Sequence, residues 1–431
     1  MQKNIKIITL GCSKNTVDSE KLLKQFQYSG FNTANRDIDN NDIVIVNTCG
    51  FINDAKEESV NTIVELAEAR KRGEIGELYV MGCLSERYRD ELEEEIPEVD
   101  RYFGVNKPDE ILNYLVNDYR KMPDTDRILS GPSHYAYLKV SEGCNRSCAF
   151  CAIPGIRGSY KSSPVEELVA EAELLTARGV KEIILIAQDL GYYGKDRYKK
   201  QMLTTLSEKL LEVNGIEWLR LHYLYPDSHH HQLLKLMRDN PRICNYIDMP
   251  IQHISDNMLS AMKRKHSSFE TKKILSGIRD IIPDSAIRTT VITGYPGETD
   301  RDFTELLNFI REFRFERLGV FTYSHEEDTR AFNTFDDDIP LKIKKERAAE
   351  IMAVQQEISL ENNISLKGKV MPVIIDREEG GYFIGRSEYD SPEVDQEVII
   401  KADTGTLKPG DIRNVLITSA TEFDLEAELP A

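Results

Sequence analysis

Residues 141–158 read SEGCNRSCAFCAIPGIRG and follow a short β-type run, Tyr135–Val140. Cys144, Cys148 and Cys151 therefore fall on one loop at the carboxyl end of an expected strand. Three thiolates this close in sequence can wrap one soft metal centre. A structural zinc site is closed by four ligands. His134 could supply a fourth, but it stands at the opposite end of the same strand. Zinc and three unrelated thiols remain the alternatives, and the tight spacing speaks against both.

Downstream of this loop, apolar β-type runs alternate with helical patterns. Five further strands are expected at Glu182–Ala187, Trp218–His222, Tyr246–Met249, Ile287–Ile292 and Leu318–Tyr323. The first intervening helix opens on Ser163-Pro164-Val165-Glu166, a capping box with proline at the first helical position. Six β/α units are too few for an eight-fold barrel, so the spacing predicts a partial (β/α)6 barrel. A helix over Pro340–Leu366 closes the region. From Lys367 onward KVMPVIID, GYFIGRS, EVIIKA and RNVLITS are short β-type runs broken by Gly-Gly, Ser-Pro and Pro-Gly. They predict a small antiparallel barrel.

Upstream, Ile5–Leu10, Ile43–Val46 and Leu78–Met81 are continuous apolar runs, with a helical pattern over Asp54–Arg70 between the last two. Continuous apolar strands alternating with helices predict a parallel sheet. Cys12, Cys49 and Cys83 each sit just past one of these strands. Ligands of open α/β sheets bind along that edge, so three thiols distant in sequence are expected to converge. Each alone also reads as a small buried hydrophobe. Pro123–Ser133 (PDTDRILSGPS) reads as a polar linker. The expected organisation is an α/β multidomain chain, divided at 1–125, 134–366 and 367–431.

The chain has 431 residues and a net charge of −18, with 40% hydrophobic and 30% charged residues. That composition excludes a wholly disordered chain and argues against a bulk nucleic-acid binder. No apolar run reaches the ~18 residues of a spanning helix, and the N-terminus lacks a secretory signal. A cytoplasmic enzyme with no membrane association is expected. Seven cysteines, an odd number, do not suggest a disulfide framework. The C-terminal segment carries a net −7 in 65 residues, more acidic per residue than the rest.

The loop sequence SEGCNRSCAFCAIPGIRG, with Phe150 before its last cysteine, resembles the radical S-adenosylmethionine superfamily. GCSKNTVDSE around Cys12, NTCGFI around Cys49 and GCLSER around Cys83 narrow the resemblance to the radical methylthiotransferases, over the whole chain. VFTYSHEEDTRAF and GRSEYDSPEVD are similar to the RimO group within them. The resemblance implies an N-terminal methylthiotransferase domain, a radical core and a TRAM β-barrel. It implies two 4Fe-4S clusters with S-adenosyl-L-methionine as cosubstrate. Cys144, Cys148 and Cys151 would hold the radical cluster, with one iron open to S-adenosylmethionine. Cys12, Cys49 and Cys83 would hold an auxiliary cluster that donates sulfur.

The implied reaction adds a methylthio group to the β-carbon of an aspartate in small-subunit ribosomal protein number twelve. That carbon is too weakly acidic for ordinary base catalysis, which accounts for a radical. Implied partners are the basic ribosomal protein, alone or in the assembled subunit, and an external electron donor. The alternative substrate is an adenosine in transfer RNA. An RNA-binding barrel should present Lys and Arg to phosphates, whereas a net −7 barrel suits a basic protein. Glu388, Asp390, Glu393 and Asp395 are the first candidates for such a docking face.

Other residues have two readings each. Gln188 and Asp189 sit where superfamily members contact the methionine end of the cofactor, or they cap a turn. Arg288 is placed to pair with the cofactor carboxylate or to form a buried salt bridge. Gly294-Tyr295-Pro296-Gly297 lets backbone approach the adenine or turns the chain. His222 and His253 read as structural, His229-His230-His231 as surface, Cys244 as packing, and Glu91–Glu95 as a solvated face.

Overall fold

The computed structural model describes residues 4–33, 42–227, 230–401 and 407–430. They form two compact units. The first comprises Met1–Gly131, Tyr137–Arg146 and Ala152–Leu174, and the second Pro132–Ala136, Ser147–Cys151 and Leu175–Ala431.

In the first unit β1 (Ile5–Thr9), β2 (Ile43–Thr48), β3 (Glu77–Gly82) and β4 (Arg101–Tyr102) form a parallel sheet in that order. All of β2 is buried, as expected of a strand covered on both faces. Val44, Val46, Leu78 and Val80 pack to one side with Ile63 and Ala67 of the helix Asn53–Lys71. Ile43, Ile45, Tyr79 and Met81 pack to the other with Leu22 and Phe26 of the helix Ser13–Tyr28. This alternation is the two-residue period of the strand.

The supposed linker is a packed strap. It has no regular structure, yet Arg127 is 1% exposed, with its guanidinium 3.1 Å from Glu20 and 3.3 Å from Glu171. Ser130 donates to Glu20 through both N and Oγ. Polar composition marked the absence of a strand or helix, but it did not reveal the buried ion pairs.

The second unit holds most of the expected partial barrel and the whole C-terminal barrel. A six-stranded sheet runs in the order β12-β11-β10-β9-β8-β5. Its strands are β5 (Tyr135–Lys139), β8 (Glu182–Ile186), β9 (Trp218–Leu221), β10 (Ile243–Asp248), β11 (Ala286–Thr293) and β12 (Arg317–Thr322). Pairing from β8 through β12 is parallel. The intervening pair β6 (Ser141–Glu142) and β7 (Lys161–Ser162) is antiparallel and belongs to the first unit. The expected capping-box helix begins at Val165, and the closing helix spans Leu341–Ile364.

β13 (Val370–Glu379), β14 (Tyr382–Ser387), β15 (Val398–Lys401), β16 (Ile412–Ala420) and β17 (Leu425–Glu428) close into a barrel. One of its pairs, β15 with β17, is parallel, so the barrel is mixed where an antiparallel one was expected.

This barrel corrects the expected docking face. Asp390 is fully buried and pairs with Arg317, 2.5 Å away. The Asp395 side chain, 3% exposed, pairs with Arg288 at 3.3 Å and accepts from the Tyr246 hydroxyl at 2.7 Å. Glu388 accepts from Asn245 N at 3.1 Å. Glu393 alone of the four is exposed. The GRSEYDSPEVD segment spends its charge against arginines of the core sheet. Arg386 extends this polar seam, reaching Glu182 at 2.8 Å and Asp376 at 2.7 Å. Composition gives net charge, and it cannot tell an outward carboxylate from one that meets a buried arginine.

Candidate metal centres

The first cysteine set is built by strand ends. Register pairs Thr9 with Asn47 and Thr48 with Gly82, so the carboxyl ends of β1, β2 and β3 are level. Cys12 is the N-cap of the helix Ser13–Tyr28, Cys49 directly follows β2, and Cys83 opens the short helix Cys83–Arg87. Polar groups lace the three turns together. Asn15 Nδ2 donates to Leu10 O at 2.8 Å and to Thr48 O at 3.1 Å. Thr48 Oγ1 donates to Met81 O at 2.7 Å. Ser59 Oγ accepts from Cys49 N and donates to Cys49 O, each at 3.0 Å.

Two glycines permit the approach. Gly11 has φ +86°, and a Cβ there would lie 2.6 Å from Cys49 Cβ. Gly82 has φ +104°, and its Cβ would lie 2.5 Å from Thr48 O. Only glycine tolerates both the backbone conformation and the space.

The thiols share an electrostatic environment. Burial pushes Cys83 up to about 11, while the Arg157 guanidinium pulls it back and the Cys12 and Cys49 thiols add to the rise. Cys49 is likewise raised, chiefly by burial and further by Cys12. Arg157 is 4% exposed and donates to Asn15 Oδ1 at 2.5 Å and Glu142 Oε1 at 2.9 Å. Cys83 also packs with Val105, Ala152 and Ile156. Three thiols and a buried cation form a donor set that fits an anionic iron–sulfur cluster.

The second set lies on the loop after β6. Cys144 belongs to the first unit, with its N–H donating to Gly158 O at 3.1 Å and its Sγ accepting from Arg146 N at 3.4 Å. Cys148 and Cys151 belong to the second, where Cys151 N donates to Cys148 O at 3.3 Å and Arg264 Nη1 lies 3.4 Å from Cys148 Sγ. Among the described residues, no group of three or more His, Cys, Asp or Glu side chains is placed to hold a single metal ion.

Three family models match the chain: the uncharacterized protein family UPF0004 over residues 4–104, the radical SAM superfamily over 138–310 and the TRAM domain over 368–429. The chain is 52% identical over 429 residues to the ribosomal protein uS12 methylthiotransferase RimO of Christiangramia forsetii, covering 99% of this chain and 95% of that one. It is 51% identical over 433 residues to the protein of that name from Porphyromonas gingivalis, covering 100% of both. The chain belongs to the RimO methylthiotransferase family. As a RimO-family chain with a radical SAM domain it is a transferase.

Solved structures share its fold. The radical S-adenosylmethionine methyltransferase TsrM of Kitasatospora setae superposes with TM-score 0.53 at 13% identity, over 74% of this chain and 73% of that one. The cobalamin-dependent radical enzyme OxsB gives TM-score 0.52 at 11% identity, over 83% and 56%.

The remaining candidates of this RimO-family chain divide. Gln188 and Asp189 follow the carboxyl end of β8; Gln188 is half-buried and Asp189 buried. Asp189 stands at the N-cap of a turn of 3-10 helix, and its side chain makes no capping bond. Arg288 places its guanidinium 3.3 Å from both Asp248 and Asp395. Gly294 turns the chain at φ +70°, and its N–H donates to Glu298 at 2.7 Å. His134 Nε2 pairs with Asp376 at 2.7 Å while its Nδ1 is buried without a hydrogen-bond partner among the described residues; His222 pairs with Ser391 at 3.0 Å and His253 with Glu298 at 3.1 Å. His230 is buried, not surface, and its Nε2–H donates to Tyr225 O at 3.0 Å; His229 lies outside the described residues. Cys244 is 1% exposed and packs beside Trp218 and Tyr246.

Two residues were missed by sequence reading. Arg157 lies within the quoted loop motif, where an arginine shortly after a cysteine run was a usable signal. Arg264 lies in no motif.

Proposed function

We propose that this chain attaches a methylthio group to the β-carbon of an aspartate in ribosomal protein uS12, acting in the cytoplasm with an external electron donor. The observation that carries this reading is the arrival of Cys12, Cys49 and Cys83 at the level ends of three adjacent parallel strands. A second set, Cys144, Cys148 and Cys151, stands on its own loop. The division into residues 1–125, 134–366 and 367–431 follows these roles.

In this reading Cys144, Cys148 and Cys151 hold the radical cluster, and Cys12, Cys49 and Cys83 hold the auxiliary one. When bound, these clusters and S-adenosylmethionine supply reductive radical generation and a transferable sulfur. The chain's own residues bind and orient. Gly11 and Gly82 let the three turns close together. Arg157 offsets thiolate charge within a buried environment. Gln188 and Asp189, at the carboxyl edge where α/β sheets take ligands, would contact the cofactor's methionine end.

The test incubates anaerobically reconstituted protein with a uS12 peptide and, separately, with transfer RNA. Mass spectrometry should show a methylthio mass gain on the peptide aspartate. A gain on transfer RNA alone would assign the adenosine-modifying activity instead. Reconstituted protein should contain about eight irons and eight sulfides, and zinc without labile sulfide would end the reading.

A further inference from the structure

Arg264 is held by a built site around the cysteine loop. It follows the helix Asp256–Ala261. Met262 O accepts from Ala149 N at 2.9 Å, and Ala149 O accepts from Ala331 N at 2.7 Å, so the loop between Cys148 and Cys151 is pinned from two segments. Lys263 then adopts φ +56°, the left-handed region that few side chains favour. This turns the chain, and Arg264 N donates back to Leu259 O at 2.9 Å.

The guanidinium has several fixed partners. It lies 4.2 Å over the Tyr225 ring, and Nη2 donates to Pro250 O at 2.7 Å. Nη1 reaches Cys148 Sγ at 3.4 Å. Nε is buried with no hydrogen-bond partner among the described residues. Tyr225 is itself anchored, its hydroxyl accepting from Lys265 N at 2.9 Å. A planar fork stacked on a ring is pre-organised, which a lysine cannot reproduce.

We propose that Arg264 is a positioning residue for the cluster assigned to Cys144, Cys148 and Cys151, fixing Cys148 Sγ by a charge-assisted hydrogen bond and raising that cluster's reduction potential. The inference rests on the two-cluster reading above. Donors to a ligand sulfur and a nearby positive charge stabilise the reduced, more negative cluster. Arginine remains charged at every working pH, so the effect does not titrate.

The experiment uses the full chain carrying Cys12→Ala, Cys49→Ala and Cys83→Ala, which leaves one cluster. Arg264→Met and Arg264→Lys are added separately. Iron and sulfide are counted, and midpoint potentials are read by redox titration with electron paramagnetic resonance. Arg264→Met should move the potential to more negative values, and Arg264→Lys should fall between it and the parent. Parent-like potentials and spectra in both would overturn the proposal while leaving the cluster assignment intact. A parent that takes up no iron would overturn both. If Arg264→Met holds no cluster, Arg264→Lys decides alone: a parent-like potential and spectrum overturns the role, and a shift supports it.

Discussion

Arg157 Nη2 donates to Asn15 Oδ1 at 2.5 Å, joining the segment after Cys151 to the turn after Cys12. The same guanidinium lies 2.9 Å from Glu142 and 3.3 Å from Asp18. Lys139 completes the group by pairing with both carboxylates. One buried network therefore ties β6 and the start of the cysteine loop to the first turn of the N-terminal domain.

Arg157→Met should break that network and leave Asp18 and Glu142 without their buried partner. Lys139 still pairs with both carboxylates, so the loss is that of charge-assisted hydrogen bonds, about 1.5–3 kcal/mol. Urea unfolding should show that loss, and iron retained by Cys12, Cys49 and Cys83 should fall selectively. Iron content equal to that of the unaltered protein would separate Arg157 from the auxiliary site.

Gly82→Ala should destabilise by about 2 kcal/mol or more, because it adds left-handed strain to a close backbone contact. The added Cβ would meet Thr48 O at 2.5 Å. Thermal unfolding measures the loss. Gly297→Ala is the control: its φ is also positive at +79°, but no atom lies within 4 Å of the added Cβ. Its effect should be strain alone, and smaller.

Asp390→Ala should cost about 3–5 kcal/mol, since Arg317 would be left facing the barrel without its partner. Their separation is 2.5 Å, and Ser387 Oγ also donates to Asp390 at 2.5 Å. Glu393→Ala, at the exposed position of the same segment, should cost less than about 0.5 kcal/mol. Denaturant midpoints for the two variants give the comparison.

Acid should weaken the helix Asp300–Phe313 through Asp302. Hydrogen bonds from Ser255, Thr299 and Asn257 outweigh burial and hold its carboxyl down at about 2. A lowered carboxyl stabilises the fold fully above its unfolded value, about 3.9, and that contribution is lost as pH falls toward the folded value. Asp302→Asn should flatten the stability profile between about pH 4 and pH 2. At neutral pH it should cost about 1 kcal/mol of capping. Unfolding curves at stepped pH provide the measurement, and an unchanged slope would contradict the assignment.

The strands and cysteine positions were legible because each rests on a local rule. Apolar runs of β length marked Ile43–Val46 and Leu78–Met81, and the cysteine after each followed in sequence. Six strand-and-helix units gave the partial barrel without any knowledge of packing. Side-chain partners over long sequence separations were a different matter. Arg288 read as facing a cofactor or a carboxylate, and nothing near it in sequence announced its ion pair with Asp395 of the C-terminal barrel. Asp390 was an acidic residue in an acidic domain until Arg317 met it. Arg264 touches Cys148 because a left-handed turn at Lys263 redirects the chain. Backbone periodicity is written within a few residues, so sequence determines it. The energy of a buried charge depends on whichever opposite charge folding brings within hydrogen-bond distance, so only the tertiary structure decides it.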